Sequence, residues 1–254
     1  MRNILIIARR DLRAQFNSPV AYVVLGGTML LLGVVFFVIP HMSVGAELVG
    51  GFWDIDHATV EQMFTYIPPL LSVFVIPAVT MRSLAAEKGS GTLELLITMP
   101  VRDSEVILGK YLAACTMVFV LLAATVIYPV AMFVWPWHLG ALDWGPVWSG
   151  YVGCFLFTCA AVGVGMMFSS LTESDVVAFF LTTGTFVILY VIGAIAALFH
   201  GGAFADAVDF ISFQSRYRAF PRGLIDTRAV VYFFSVAILC LLVSFRSLES
   251  RKWS

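Results

Sequence analysis

Pro77-Ala78-Val79-Thr80-Met81-Arg82-Ser83-Leu84-Ala85-Ala86-Glu87-Lys88-Gly89-Ser90-Gly91-Thr92-Leu93-Glu94-Leu95-Leu96-Ile97-Thr98-Met99-Pro100, continuing through Val101-Arg102-Asp103-Ser104-Glu105-Val106-Ile107-Leu108 to Gly109-Lys110, is the longest polar-rich run between two apolar blocks of this chain. Gly89 and Gly91 bracket Ser90, so the backbone can turn sharply there. Thr92 is a good N-cap, and Glu94 in the following first turn suits the helix dipole. Leu93, Leu95, Leu96, Ile97 and Met99 then form a short helix that is apolar on most sides, and Pro100 stops it. Asp103 or Ser104 caps the next helix, with Glu105 in its first turn. That helix passes through Gly109 and Lys110 into a hydrophobic run. An apolar helix of under two turns is not stable alone, so it must bury its face against something. The residues leave two partners open: the chain's own membrane domain with its lipid interface, or a groove on another protein.

Composition places the chain in a membrane. Apolar residues make up 60% and charged residues 12%, about half the charge of an ordinary soluble domain. Mean hydropathy is +0.94. The net charge of -1 says nothing about nucleic acid, but the lack of a basic tract that could neutralise phosphates argues against such a partner. Cys115, Cys154, Cys159 and Cys240 all lie in apolar runs without metal-ligand or secreted-framework spacing, and read as buried small hydrophobes. With no internal repeat or linker, residues 1–254 read as one all-α membrane domain.

Working outward, six apolar runs are long enough to cross: about 20–39, 64–81, 111–134, 147–168, 176–199 and 229–245. Before the first, residues 2–17 read as an amphipathic interface helix, with Leu5, Ala8, Leu12 and Phe16 on one side and Arg9, Arg10 and Arg13 on the other. The first run is too long for a signal-peptide core and lacks a small-residue cleavage site, so it is expected to be retained. Pro68, Pro69 and Pro77 should bend the second, and Arg82 should end it. Gly153, Gly163 and Gly165 should let the fourth approach its neighbours closely. Between the fifth and sixth, Phe210, Phe213, Tyr217, Phe220 and Leu224 keep helical spacing opposite Ser215, Arg218 and Arg222, which reads as an outer interfacial helix broken at Pro221 and Gly223.

Six spans put both termini on one side, and the positive-inside rule makes that side cytoplasmic. Arg2, Arg9, Arg10, Arg13, Arg82, Lys88, Arg102, Lys110, Arg246, Arg251 and Lys252 then lie inside, and only Arg216, Arg218, Arg222 and Arg228 outside. The outer arginines either anchor anionic headgroups or line an exit for an anionic substrate. No ionisable residue lies deep in a span, which argues against a secondary carrier or a selective ion pore. His41, Met42, His57 and Met63 are a weak candidate set of soft metal ligands near the outer side, and no metal is assigned. There is no Walker A pattern, so no ATP site, and no nucleophile–base pair, so no catalytic residue is assigned.

Glu87, Lys88, Gly91, Thr92, Glu94, Leu95, Leu96 and Pro100, followed by Gly109-Lys110, resemble the signature cytoplasmic loop of ABC-2 type transporter permeases, the membrane subunits of ABC transporters. The GldF-like gliding-motility permeases are the branch named by this likeness, with NosY-like permeases more distant. Ser169-Ser170-Leu171-Thr172-Glu173-Ser174, followed by Val177-Ala178-Phe179, is a second match. The likeness spans nearly the whole chain. One departure is Ala86, where relatives often carry a second acid.

The resemblance implies a bacterial inner-membrane, multi-pass permease without a cofactor of its own. ATP and Mg would be bound by a separate ABC ATPase in two copies, and a second permease chain, identical or related, would complete the path. Accessory periplasmic or membrane proteins are further possible partners. The implied coupling residues are Arg82, Glu87, Lys88, Gly91, Thr92, Leu93, Glu94, Leu95, Leu96, Ile97, Met99 and Pro100, with the N-terminal helix carrying Arg9, Arg10 and Arg13 touching the ATPase as well. Closure of the ATPase would press on residues 93–99 and tilt spans two and three, driving export or extraction of a substrate. Phe36, Phe37, Phe74 and Phe119 are candidates for an apolar path or ordinary packing. The alternative from another class is an anchor that recruits an ATPase for assembly of envelope proteins or metalloenzymes without bulk transport. A passive channel is a third reading.

Overall fold

The computed structural model describes residues 2–37, 61–91, 102–133, 144–198 and 212–250, and its elements there are all helical. Helix α1 (Arg2–Phe16) turns through Asn17-Ser18 into α2 (Pro19–Phe37), which begins on a proline whose missing N–H costs nothing at a first turn. Helix α3 (Glu61–Leu70), a π-helical turn (Leu71–Val75) and α4 (Ile76–Gly89) follow one another without a gap. Then come α5 (Asp103–Ala124), α6 (Ile127–Phe133), α7 (Trp144–Leu171) and α8 (Asp175–Leu198). A short α9 (Phe213–Tyr217) and a 3-10 turn (Phe220–Arg222) precede α10 (Thr227–Ser250).

Five stretches are long and apolar enough to cross a bilayer: Met63–Gly89, Asp103–Ala131, Trp144–Leu171, Asp175–Gly193 and Thr227–Ser250. Helix α2 is as apolar, and it joins α1 at a bend of 71°. The positions agree with the apolar runs of the sequence, but two ends differ. Arg82 does not end the second span: α4 continues to Gly89, because Leu84 and Ala85 are fully buried and hold two more turns against α7. The helix after the signature segment is capped by Arg102, not by Asp103 or Ser104, and its first residue is Asp103. The Glu105 carboxylate accepts from the Arg102 N–H at 3.3 Å and moves the cap back.

The prolines act as their chemistry dictates. Pro68 and Pro69 sit in α3 immediately before the π-turn, and Pro77 follows it. Pro77 cannot donate to the Val73 carbonyl, which accepts from the Thr183 hydroxyl of α8 at 3.2 Å. Pro129 likewise cannot donate to Thr125, and the third span breaks there into α5 and α6. The Tyr128 hydroxyl then reaches α2, donating to the Met29 carbonyl at 2.7 Å.

Helix α7 is the hub. Lipid tails are as apolar as Leu, so close contact and hydrogen bonds, not water exclusion, hold such helices together. Its glycines supply the closeness. A Cβ on Gly150 would lie 2.5 Å from the Phe64 ring, one on Gly153 2.5 Å from the Phe220 ring, and one on Gly165 2.2 Å from Thr80 Oγ1. Around the middle of α7, Phe157 is fully buried and meets Phe213, Tyr217, Phe186 and Phe233 at centroid distances of 5.6, 6.0, 6.5 and 6.0 Å. Each such pair adds about 1 kcal/mol beyond contact area.

That cluster corrects the picture of an outer interfacial helix. Phe213, Tyr217 and Phe220 are buried among α7, α8 and α10 rather than laid on the bilayer surface. The segment from Ser212 dips to the level of Phe157 and climbs back, with Phe220 held by a hydrogen bond from Ser149 to its carbonyl at 2.7 Å. The reason is the fit of three rings into gaps left by small residues. Leu224 stays 64% exposed, and Phe210 lies outside the described residues.

The N-terminal helix is also more firmly held than its amphipathic pattern suggests. Ile4 and Ile7 pack on Gly109, where a Cβ would lie 2.8 Å from Ile7, while Leu5 and Ile6 are exposed. Phe74 and Phe119 are more than half exposed, and the side chains of Phe36 and Phe37 are outside the described residues. Met63 is fully buried in the core, so it is no surface metal ligand, and His41, Met42 and His57 lie outside the described residues.

Candidate functional site

The site is built where α1, α4, α5 and the end of α7 converge. Helix α4 ends by an ordinary C-terminal mechanism. Ser90 N–H bonds the Ala86 carbonyl at 3.1 Å, and Gly91 adopts φ 70°, the left-handed conformation that glycine takes without strain. Gly89 is required by contact: a Cβ there would lie 2.6 Å from the Glu173 carbonyl oxygen. Thus the turn Ser170–Glu173, the second motif of the sequence, is pressed against the foot of the first.

Four charges meet above this foot. Lys110 Nζ is 2.7 Å from Glu87 Oε1 and 3.1 Å from Asp11 Oδ2, and the Lys110 side chain is only 4% exposed. Arg10 extends the cluster, 2.8 Å from Asp11 and 3.6 Å from Glu87. A lysine taken out of water needs this: one carboxylate from each of two other helices offsets its lost hydration, and losing either leaves a buried charge exposed to the full desolvation cost. Asn3 Nδ2 adds a further α1–α5 bond, donating to Glu105 Oε2 at 3.1 Å.

The next residue is anchored on the other side. Lys88, 8% exposed, donates its ammonium to the Ser170 carbonyl, which also accepts from the Ser247 hydroxyl of α10 at 2.8 Å. One turn earlier, the Ser169 hydroxyl lies 3.0 Å from the N–H groups of both Leu84 and Ala85 and donates to the Met81 carbonyl at 3.1 Å. A side chain of α7 is thereby inserted beside a backbone rung of α4. Arg82 faces Asp175 of α8 at 3.6 Å, both partly in solvent.

A cavity of about 230 Å³ opens beside the cluster, lined by Asp11, Gln15, Arg82, Ser83, Glu87 and Lys110 among others. Gln15 Oε1 is buried with no hydrogen-bond partner, so the space is polar enough and large enough for water. Among the described residues no group of His, Cys, Asp or Glu is arranged to hold a metal ion.

The expected coupling residues therefore divide. Arg82, Glu87, Lys88 and Gly91 are in place as described. Thr92, Leu93, Glu94, Leu95, Leu96, Ile97, Met99 and Pro100 lie outside the described residues. Of the N-terminal arginines, Arg10 joins the cluster while Arg9 and Arg13 are exposed, with no ion pair among the described residues. At the other end of the bundle, Arg216 lies 6.0 Å from the Tyr232 ring centre, and Arg218 and Arg222 border a second cavity.

The sequence reading missed Asp11, a lone acid on a helix noted only for its arginines. It also did not see why Gly109 and Lys110 are adjacent. The glycine seats α1 on α5, and the lysine one position on reaches the carboxylate that α1 brings.

The Glu87–Lys88 foot, Gly109–Lys110 and the Ser169–Ser170 turn all lie within one segment that a family model matches. The model of the ABC-2 family transporter proteins matches residues 28–245. The chain belongs to the ABC-2 transporter family. It is therefore a multi-pass membrane subunit of the ABC transporter type, not itself catalytic, and this permease family implies an ABC ATPase partner. The match is to the broad family and names no branch of it. No curated protein matches the permease.

Proposed function

We propose that the permease is the membrane half of an ATP-driven exporter, and that residues 93–99 receive the stroke of a separate ATPase. The observation that carries this reading is the clamp on both feet of that segment. Glu87 and Lys110 lie 23 positions apart in the chain and are joined at 2.7 Å. Neither foot can move without the other, and the clamp binds α1, α4 and α5 while Lys88 binds α7 and α10. Force applied to the segment passes to the bundle as a unit.

In this mechanism two ATPase subunits bind ATP and Mg and close on each other. Leu93, Leu95, Leu96, Ile97 and Met99 are the buried face of the contact, and Thr92, Glu94 and Pro100 set its ends. Arg9 and Arg13, exposed on α1, supply a second basic contact. Helix α2 crosses as the first of six spans, both termini are cytoplasmic, and two permease chains enclose the path in a bacterial inner membrane. The signature residues are those of GldF-like permeases, with NosY-like ones more distant, and that branch is part of the proposal. Cargo extraction follows from tilting of α4 and α5.

The test is co-purification. Replacing Leu95 and Leu96 by Asp should abolish co-purification of an ABC ATPase while leaving the permease in the membrane. Retention of the ATPase by the double variant would remove the docking role.

A further inference from the structure

The second cavity lies at the end of the bundle opposite Lys110. Its volume is about 200 Å³, and its walls come from α3, α7, α8 and the dipping segment after Ser212. Phe157, Tyr190 and Tyr217 form the inner wall, with Pro68 and Pro69 on one side. Gln214, Arg218 and Arg222 supply its amide and its charge. Among the described residues no acid lines it. Arg218 is exposed and has no ion pair among the described residues.

This donor set is selective in kind. The Arg218 guanidinium fork and the Gln214 amide, with the charge of Arg222 beside them, offer N–H groups in planar pairs, the geometry that phosphate oxygens accept two at a time. The opposite wall offers aromatic faces. Tyr190 is held in place by its hydroxyl, 3.1 Å from Ser72 of the π-turn, and Tyr217 by its own, 3.0 Å from Cys154 Sγ. The tyrosines are therefore held by hydrogen bonds, while Arg218 is exposed. Counting about 30 Å³ per water-sized group, the space takes a phosphate and a few further atoms, not a whole lipid. Phe157 lies 13 residues from the start of α7, about 20 Å at 1.5 Å per residue, so the aromatic wall reaches the middle of the bundle while the arginines stand at its mouth.

We propose that this cavity is an anion site for a phosphate group, carried on a lipid-like tail or free in solution. In the exporter reading, on which only its purpose rests, this is where cargo or a bilayer lipid meets the permease at the far end of the path. Binding itself needs neither nucleotide nor ATPase, and it is measured without them.

The experiment uses the full-length permease in a neutral maltoside detergent, titrated with dodecyl phosphate and, separately, inorganic phosphate, by isothermal calorimetry. One saturable site is expected. Arg218→Gln and Arg222→Gln should each weaken it at least tenfold, and Arg228→Gln, which removes the same charge from outside the cavity, should leave it unchanged. Dodecyl phosphate binding at least tenfold more tightly than inorganic phosphate assigns the lipid-like source, and equal affinities assign the free anion. If an arginine variant does not fold, Gln214→Leu takes its place, with a severalfold loss expected. No saturable binding of either probe, or equal weakening by Arg228→Gln, overturns the site. Loss of ATPase capture by the Leu95 and Leu96 variant is a separate readout, so the two readings fail independently.

Discussion

Lys110 of α5 donates to Glu87 of α4 at 2.7 Å, 23 positions away in the chain. The bond is nearly sealed from solvent on the lysine side, and Asp11 of α1 completes it. Three helices far apart in sequence are thus fastened at one nitrogen atom.

Lys110→Met should therefore cost about 3 kcal/mol of stability, since it leaves Asp11 and Glu87 with only the half-exposed Arg10 to offset their charge. The measurement is a thermal melt of the purified permease. Adding Asp11→Asn and Glu87→Gln to the same variant should recover part of the loss, because the stranded carboxylates are then neutral. A Lys110→Met protein that melts with the wild type would show that the cluster does not fasten α1.

Ser169→Ala should loosen the foot of α4 without unfolding the bundle. The hydroxyl serves two N–H groups and one carbonyl there, so amide exchange at residues 84–89 should quicken by about tenfold, the equivalent of roughly 1.4 kcal/mol for one buried hydrogen-bonding group. Exchange unchanged in that peptide would mean that α4 holds itself.

Gly165→Ala places a methyl 2.2 Å from Thr80 Oγ1, and the two helices must separate. The expected penalty is about 1–3 kcal/mol, read as a lowered melting temperature. Thr80→Ala in the same chain should restore part of it. An alanine at 165 without any effect would refute close packing of α4 on α7.

How much of this was legible beforehand is clearest at particular residues. Five of the spans were, because a run of apolar residues in lipid has only one way to satisfy its backbone. The glycines of α7 were, because small residues have a single common use between membrane helices. The dipping segment was not: Phe213, Tyr217 and Phe220 show the same periodicity whether their rings enter lipid or protein, and only Gly153 and Ser149 on another helix decide between them. Asp11 was hidden for a similar reason. A carboxylate on a surface helix gives no local sign that a lysine 99 positions away will be buried against it.

Topology can be settled with single cysteines, because the native Cys115, Cys154 and Cys240 are buried and Cys159 is half-buried. A cysteine at exposed Ser90 should react only with reagent supplied from the cytoplasm, and one at Leu224 only with reagent from the opposite side. Ser212 is unsuitable for the second role, being 6% exposed as the cap of α9. The reverse pattern of labelling would invert the assignment.

The π-turn at Leu71–Val75 also fixes the compass bearing of everything below it. A wider turn holds one residue more than an α-helical one, and each residue of an α-helix advances about 100°. Were that turn to tighten, Glu87 would swing through about a quarter circle and face away from Lys110. Ser72, within the turn, touches Tyr190 of the far cavity. A disturbance at the cavity beside Tyr190 would then arrive at Glu87 as a twist of one rod, and deleting Ser72 should mimic it by abolishing a cysteine cross-link engineered between positions 87 and 110.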